Sequence, residues 1–136
     1  PINTSWGMDN RTVGIRVIEG SEASTRVEKR DAGADCNPYL LLASDIAAGL
    51  DGIEQGLEPS EMTTGNAYEE ESAEAIPTDL ETAISLARGS DWLKGVMGDL
   101  THELYCQQSE RELEFFNDYM NNRVTDHERD RYLGNF

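Results

Sequence analysis

The sequence predicts an α+β fold: an antiparallel hairpin followed by four to five helices. Two alternating segments near the N-terminus, residues 11–18 and 25–30, carry strand periodicity. From Tyr39 onward apolar residues recur at helical spacing. Helix-start signatures then recur along the chain, with Thr78 and Glu81, and Thr125 and Glu128, in Thr-x-x-Glu capping boxes.

In RTVGIRVI (11–18), Val13, Ile15 and Val17 share one face, and Gly14, Arg16 and Ile18 the other. EGSEAS (19–24) reads as a turn or short loop. TRVEKR (25–30) is the second strand, and its alternation puts Arg26, Glu28 and Arg30 in a row on one face. If Ile18 lies opposite Arg26, Arg16 falls opposite Glu28 and Gly14 opposite Arg30, so Arg16 joins the row. A slip of one residue destroys this grouping. A lone two-stranded hairpin is marginal in water, so either the helices cover it or it belongs to a larger sheet.

DAGAD (31–35) is a connector. Asn37 is a good N-cap and Pro38 suits the first helical position. Tyr39, Leu42, Ala43, Ile46, Leu50 and Ile53 then follow i, i+3, i+4 spacing, with Leu40, Leu41, Ala47 and Ala48 filling much of the remaining circumference. This predicts a helix buried on most sides, with Leu50→Ala costing roughly 2–5 kcal/mol in the full-length parent protein. Gly56 ends it. Residues 57–77 are acidic, rich in Gly and Pro and weakly patterned; within them EEESAE (69–74) reads as a solvated loop, with an acidic interaction patch as the alternative. A short helix runs from the Thr78 capping box to Gly89, and SDWLKGVMG (90–98) supplies another turn or two. Asp99 is placed to cap a long helix to about Asn122, and Thr125 opens a last helix toward Leu133.

Composition narrows the function. A chain of 136 residues suits one domain with a moderate core. Its formal net charge of −16 excludes nucleic acid as the main partner and disfavours anionic membranes. No apolar run is long enough to span a bilayer, and there is no signal peptide. Cys36 and Cys106 have no disulfide-framework or metal spacing, which suits two buried or half-buried thiols in a reducing cytoplasm. Five of the eleven basic residues, Arg11, Arg16, Arg26, Lys29 and Arg30, lie in the first thirty positions. In so acidic a chain that concentration points to a local site for an anion.

Arginine presents a planar fork matched to phosphate and carboxylate oxygens. A carboxylate among arginines stays charged and can share a divalent cation with phosphate oxygens. Guanidinium clamps, a carboxylate and a cation are the parts of a phosphoryl-transfer site. One glutamate does not make a metal site, however. By itself an Arg-x-Glu-x-Arg strand is more often a solvated charge ladder worth little per pair. His102 and His127 sit in the helical tail and read as surface residues.

Order and spacing add a resemblance. NRTVGIR (10–16), RVEKR (26–30) and NPYLLLASDIAAGLDGI (37–53) together resemble the C-terminal part of the glutamine synthetase family catalytic domain. That resemblance implies that residues 1–136 are the C-terminal portion of such a domain, with strands over 1–36 and mostly helices over 37–136. The hairpin would belong to an incomplete sheet of that type. It implies an ATP-dependent ligase joining glutamate to ammonia or an organic amine through a γ-glutamyl phosphate, with Mg²⁺ or Mn²⁺. Arg11 and Arg16 match arginines that contact ATP phosphates and the reacting carboxylate, and Arg26 a nucleotide-contacting position. Glu28 matches a metal ligand, and Arg30 the arginine that holds the substrate carboxylate or transferred phosphate. Arg16 and Arg30 are thereby the implied catalytic residues. The parent is expected to form a large homo-oligomer of stacked rings, and the isolated chain, opening at Pro1 without Met, to be an inactive fragment. After Glu28 the family's glutamine-forming enzymes read Arg-Phe-Pro-Asp-Pro. Here Arg30 is followed by Asp31, Ala32, Gly33, Ala34 and Asp35, closer to the branch that acts on polyamines or other amines. Putrescine is then a candidate amine, and γ-glutamylpolyamine synthetase a candidate activity. The competing readings are a non-catalytic acidic helical interaction module and a regulatory relative that binds nucleotide without turnover.

Overall fold

The structure is a computed structural model and describes residues 1–133. The element order is β1 (Trp6–Met8), β2 (Ile15–Ile18), β3 (Arg26–Lys29), α1 (Pro38–Glu54), α2 (Leu80–Arg88), α3 (Asp91–Met97), α4 (Asp99–Asn121) and α5 (Asp126–Tyr132), with a 3₁₀ turn at Ala67–Glu69. This is the α+β class expected. The chain divides into two compact units, Pro1–Ile76 and the helices from Pro77 onward.

In the first unit the strands form one sheet of order β1-β2-β3. The hairpin of β2 and β3 is antiparallel, and its register pairs Ile18 with Arg26 and Arg16 with Glu28. The Arg30 amide continues the ladder by donating to the Gly14 carbonyl at 2.9 Å. The sequence reading lacked β1, which pairs parallel to β2. Three residues with a glycine at their centre are too short to show a period. Residues 11–14, expected as strand, are instead a turn. There the Asn10 side chain accepts from the Thr12 amide at 2.9 Å and its hydroxyl at 2.7 Å, a local bond that competes with the ladder.

The centre of this unit is small and partly polar. Val13 and Ala67 are fully buried, with Asn3, Ser5 and Thr63 beside them in the buried class. Each buried polar group finds a partner: Asn3 Nδ2 donates to Ala67 O at 2.8 Å, and Ser5 Oγ to Asn3 Oδ1 at 2.6 Å. Two glycines permit the close approach. A Cβ on Gly7 would lie 2.6 Å from Thr63 O, and one on Gly14 2.7 Å from Asn3 O.

Helix α1 starts as predicted, with Asn37 Oδ1 accepting from the Tyr39 and Leu40 amides and Pro38 at the first position. It ends at Gln55, followed by Gly56 at φ +62°. Its burial does not follow the expectation. Tyr39, Leu42, Ile46, Leu50 and Ile53 are all more than half exposed, and none of its residues is buried. Helical spacing specifies an apolar face but not what covers it. Leu50→Ala in this chain is therefore expected to cost no more than about 0.5 kcal/mol, which urea unfolding would check. Helix α1 is tied to the sheet by Lys29, whose Nζ lies 2.5 Å from Asp45 and 3.7 Å from Asp31. Burial opposes charge on Lys29, yet the hydrogen bond to Asp45 and the fields of Asp31 and Asp45 outweigh it and raise its pKa. A raised lysine stabilises fully below its unfolded value, and the contribution fades as pH climbs through the folded one. The tie should hold at neutral pH and weaken above about pH 10.5.

In the second unit α2 and α3 each pack on α4. Asp79, rather than Thr78, caps α2 by accepting from the Thr82 amide at 2.7 Å. Ser90 caps α3, and the Thr125–Glu128 capping box opens α5 as predicted. Asp99 lies inside α4 rather than capping it; Gly98, at φ +77°, takes that place without a side-chain cap. Ile84 and Cys106 are the buried apolar residues. Ile84→Ala should cost about 2–5 kcal/mol, read as a lower unfolding midpoint in urea. No helix among the described residues is long and apolar enough to cross a membrane.

Candidate active site

The β2–β3 register decides the site, because it sets Arg16 directly across from Glu28. Arg16 Nη1 donates to Glu28 Oε2 at 3.2 Å, and Arg16 Nε to Asp9 Oδ1 at 3.1 Å. Arg16 Nη2 also bonds Asp9. The Arg16 side chain is only 17% exposed, against 44% for Glu28 and 75% for Asp9. The guanidinium is thus half sunk in the sheet face and gripped on two edges.

Arg30 reaches the same place from the end of β3. Its Nη1 donates to the Arg11 carbonyl, and lies 3.4 Å from the Val13 carbonyl. Its Nε and Nη2 make no hydrogen bond among the described residues, leaving one fork edge open to an oxyanion. Arg26, opposite Ile18, is exposed and donates to Ser24 O at 3.1 Å. Arg11 is exposed on the turn before β2. The Asp9 carboxyl is held below the usual range chiefly by the hydrogen bond and charge of Arg16, with Arg11 and Arg26 adding to the effect. Of the five predicted residues, Arg16 and Glu28 are joined directly, Arg30 bonds the Arg11 main chain, and Arg26 lies two residues before Glu28 on β3.

The Asn10-Arg11-Thr12 segment shows how the turn is held. Asn10 Nδ2 donates to Gly65 O at 2.8 Å, and Thr12 Oγ1 accepts from the Ala67 amide at 2.9 Å. The residues flanking Arg11 pin the 63–67 loop and leave Arg11 outside. Asn10→Ala is expected to loosen this loop, seen as faster amide exchange at Ala67.

Among the described residues, no group of three His, Cys, Asp or Glu is placed to hold a metal ion. Glu28 offers one oxygen: Oε2 is taken by Arg16, while Oε1 has no hydrogen-bond partner among those residues.

Residues 1–132 match the family described as glutamine synthetase, catalytic domain. The chain belongs to the glutamine synthetase family. Its relatives in that family include a glutamate–isopropylamine ligase of Pseudomonas sp., 39% identical over 88% of this chain and 27% of that protein. A γ-glutamylethanolamide synthetase of Streptomyces coelicolor is 43% identical over 85% of the chain and 25% of the protein. A glutamine synthetase of Thermotoga maritima is 32% identical over 98% of the chain and 31% of the protein. The chain thus spans between a quarter and a third of the length of these relatives.

Within this glutamine synthetase-family chain, sequence reasoning missed Asp9, which its alternation places outside the strands. His102 was expected at the surface but is 4% exposed. Its Nε2 lies 2.8 Å from Ala87 O and 3.8 Å from Cys106 Sγ. A carbonyl can only accept, so Nε2 carries the proton and cannot take one from the thiol. The His102–Ala87 bond ties α4 to α2, with the Cys106 thiol one helical turn further along α4. The other thiol, Cys36, is exposed rather than half-buried. His127 lies at the surface as expected.

Proposed function

We propose that this chain is the C-terminal portion of the catalytic domain of an ATP-dependent glutamate–amine ligase. The observation that carries this reading is the Arg16–Glu28 pairing, with Arg26 on the same strand and Arg30, just past its end, bonded to the Arg11 carbonyl. Such a row opposes the negative charge that builds on a phosphoryl group in transit.

The roles follow from what each side chain leaves free. Arg30 keeps the Nε/Nη2 edge for a bidentate hold on a substrate carboxylate or the transferred phosphate. Arg16 keeps two N–H groups after its three bonds to Asp9 and Glu28. Arg11 and Arg26, both exposed, meet nucleotide phosphates at the rim. The donor set fits an anionic nucleotide, and Glu28 fits as one ligand of a divalent cation. The remaining cation ligands must come from outside the described residues. When bound, Mg²⁺ or Mn²⁺ would offset charge on the phosphoryl oxygens. In the overall reaction the glutamate γ-carboxylate accepts the ATP γ-phosphoryl group, and the amine then displaces phosphate from the acyl phosphate.

The amine is read as a small organic one. Relatives named for joining isopropylamine and for forming γ-glutamylethanolamide match at 39% and 43%, and the segment after Glu28 lacks the Phe-Pro-Asp-Pro run. The parent is read as a homo-oligomer of stacked rings, which electron microscopy would show. The test is phosphate release by the full-length protein with ATP, glutamate, Mg²⁺ or Mn²⁺ and a panel of ammonia, isopropylamine, ethanolamine and putrescine. An organic amine should give the highest kcat/KM. Strict preference for ammonia overturns the amine assignment, and no release with any of them overturns the ligase.

A further inference from the structure

Asp9 stands where no strand pattern would put a functional residue. Its backbone is left-handed, at φ +45°, a conformation Asp tolerates better than most residues. Its amide donates to the Val17 carbonyl at 2.8 Å, just beyond the β1–β2 ladder. That bond fixes where its carboxylate emerges. The carboxylate then meets the Nε and Nη2 of Arg16, while Glu28 meets Nη1 from the opposite side.

We infer that Asp9 is a positioning residue that sets the orientation of the Arg16 guanidinium for phosphoryl transfer. This rests on the ligase reading above. A long arginine side chain has many rotamers, and holding it in one before substrate arrives removes an ordering cost from the reacting complex. Glu28 alone cannot do this, because a single bond at Nη1 leaves the plane of the fork free to turn. Two further bonds, donated by Arg16 Nε and Nη2 to Asp9 Oδ1, stop that rotation. The remaining N–H groups, one on Nη1 and one on Nη2, then point in one direction. Asp9 also supplies a negative charge among three guanidinium groups, so that Arg11, Arg16 and Arg26 can stay close before any phosphate binds.

The test uses the full-length protein and two substitutions compatible with a left-handed backbone. Asp9→Asn removes the charge but keeps one acceptor, and Asp9→Gly removes the side chain at no backbone cost. Expected are losses in kcat of up to roughly 100-fold, larger for Gly, with KM for glutamate within about twofold. In an Arg16→Lys background Asp9→Gly should add less than about a twofold loss, since the residue acts through Arg16. A separate readout does not need turnover: the Arg16 Nε–H resonance should exchange slowly with solvent in the wild type and rapidly in Asp9→Gly. Unchanged kcat in Asp9→Gly, equal losses in both backgrounds, or unchanged exchange each overturn the inference. An inactive wild type overturns the ligase reading instead, and the exchange measurement then decides the positioning of Arg16 by itself.

Discussion

Glu28→Gln in the full-length protein is expected to lower metal-dependent phosphate release by at least about 100-fold, the scale seen when one charge-stabilising group leaves a transfer site. The substitution keeps the shape of the side chain and can still accept from Arg16. What it loses is the negative charge that a divalent cation needs. Stability should barely change, because the Arg16–Glu28 pair is open to solvent on the Glu28 side, where water screens it. Phosphate release titrated against Mn²⁺, beside a urea unfolding curve, separates the two effects. Wild-type turnover with an unaltered Mn²⁺ response would remove Glu28 from the metal role.

Arg30→Lys should cost a similar factor, roughly 100- to 1,000-fold in kcat/KM, although the charge is retained. An ammonium cannot reproduce a planar fork. The structure adds a second reason. Arg30 spends one nitrogen on the carbonyls of Arg11 and Val13, so it holds the turn that carries Arg11 while keeping another edge for an anion. Lysine has one nitrogen for both tasks. Steady-state kinetics on Arg30→Lys with ATP and glutamate varied in turn would show it. An effect confined to KM for ATP would mean that Arg30 acts only by holding the Arg11 turn.

Much of this arrangement was legible before any coordinates. The alternation in 11–18 and 25–30 led to a hairpin, and one choice of register put Arg16 across from Glu28, which is the pairing found. Asn37-Pro38, Gly56 and the Thr125–Glu128 box marked helix ends by hydrogen-bonding chemistry that acts within a few residues. Three of the failures have a common cause. Strand β1, the burial of His102 and the exposure of α1 all depend on partners distant in sequence. A three-residue strand has no period to read. An apolar helix face looks the same whether or not something covers it.

By itself the sequence determined the class of fold, the capped starts of α1 and α5, and the set of arginines and one glutamate from which an anion site could be made. Those features rest on local spacing and on side-chain chemistry, which do not change with context. Only the tertiary structure decided that Asp9 joins the row, that Arg30 turns back onto the Arg11 carbonyl, and that Asn10 and Thr12 pin the loop beside it. The reason is geometric. Two groups far apart in the chain meet only when the backbone between them has taken one path, and a parallel strand with a left-handed residue at its end is a path that no local pattern announces.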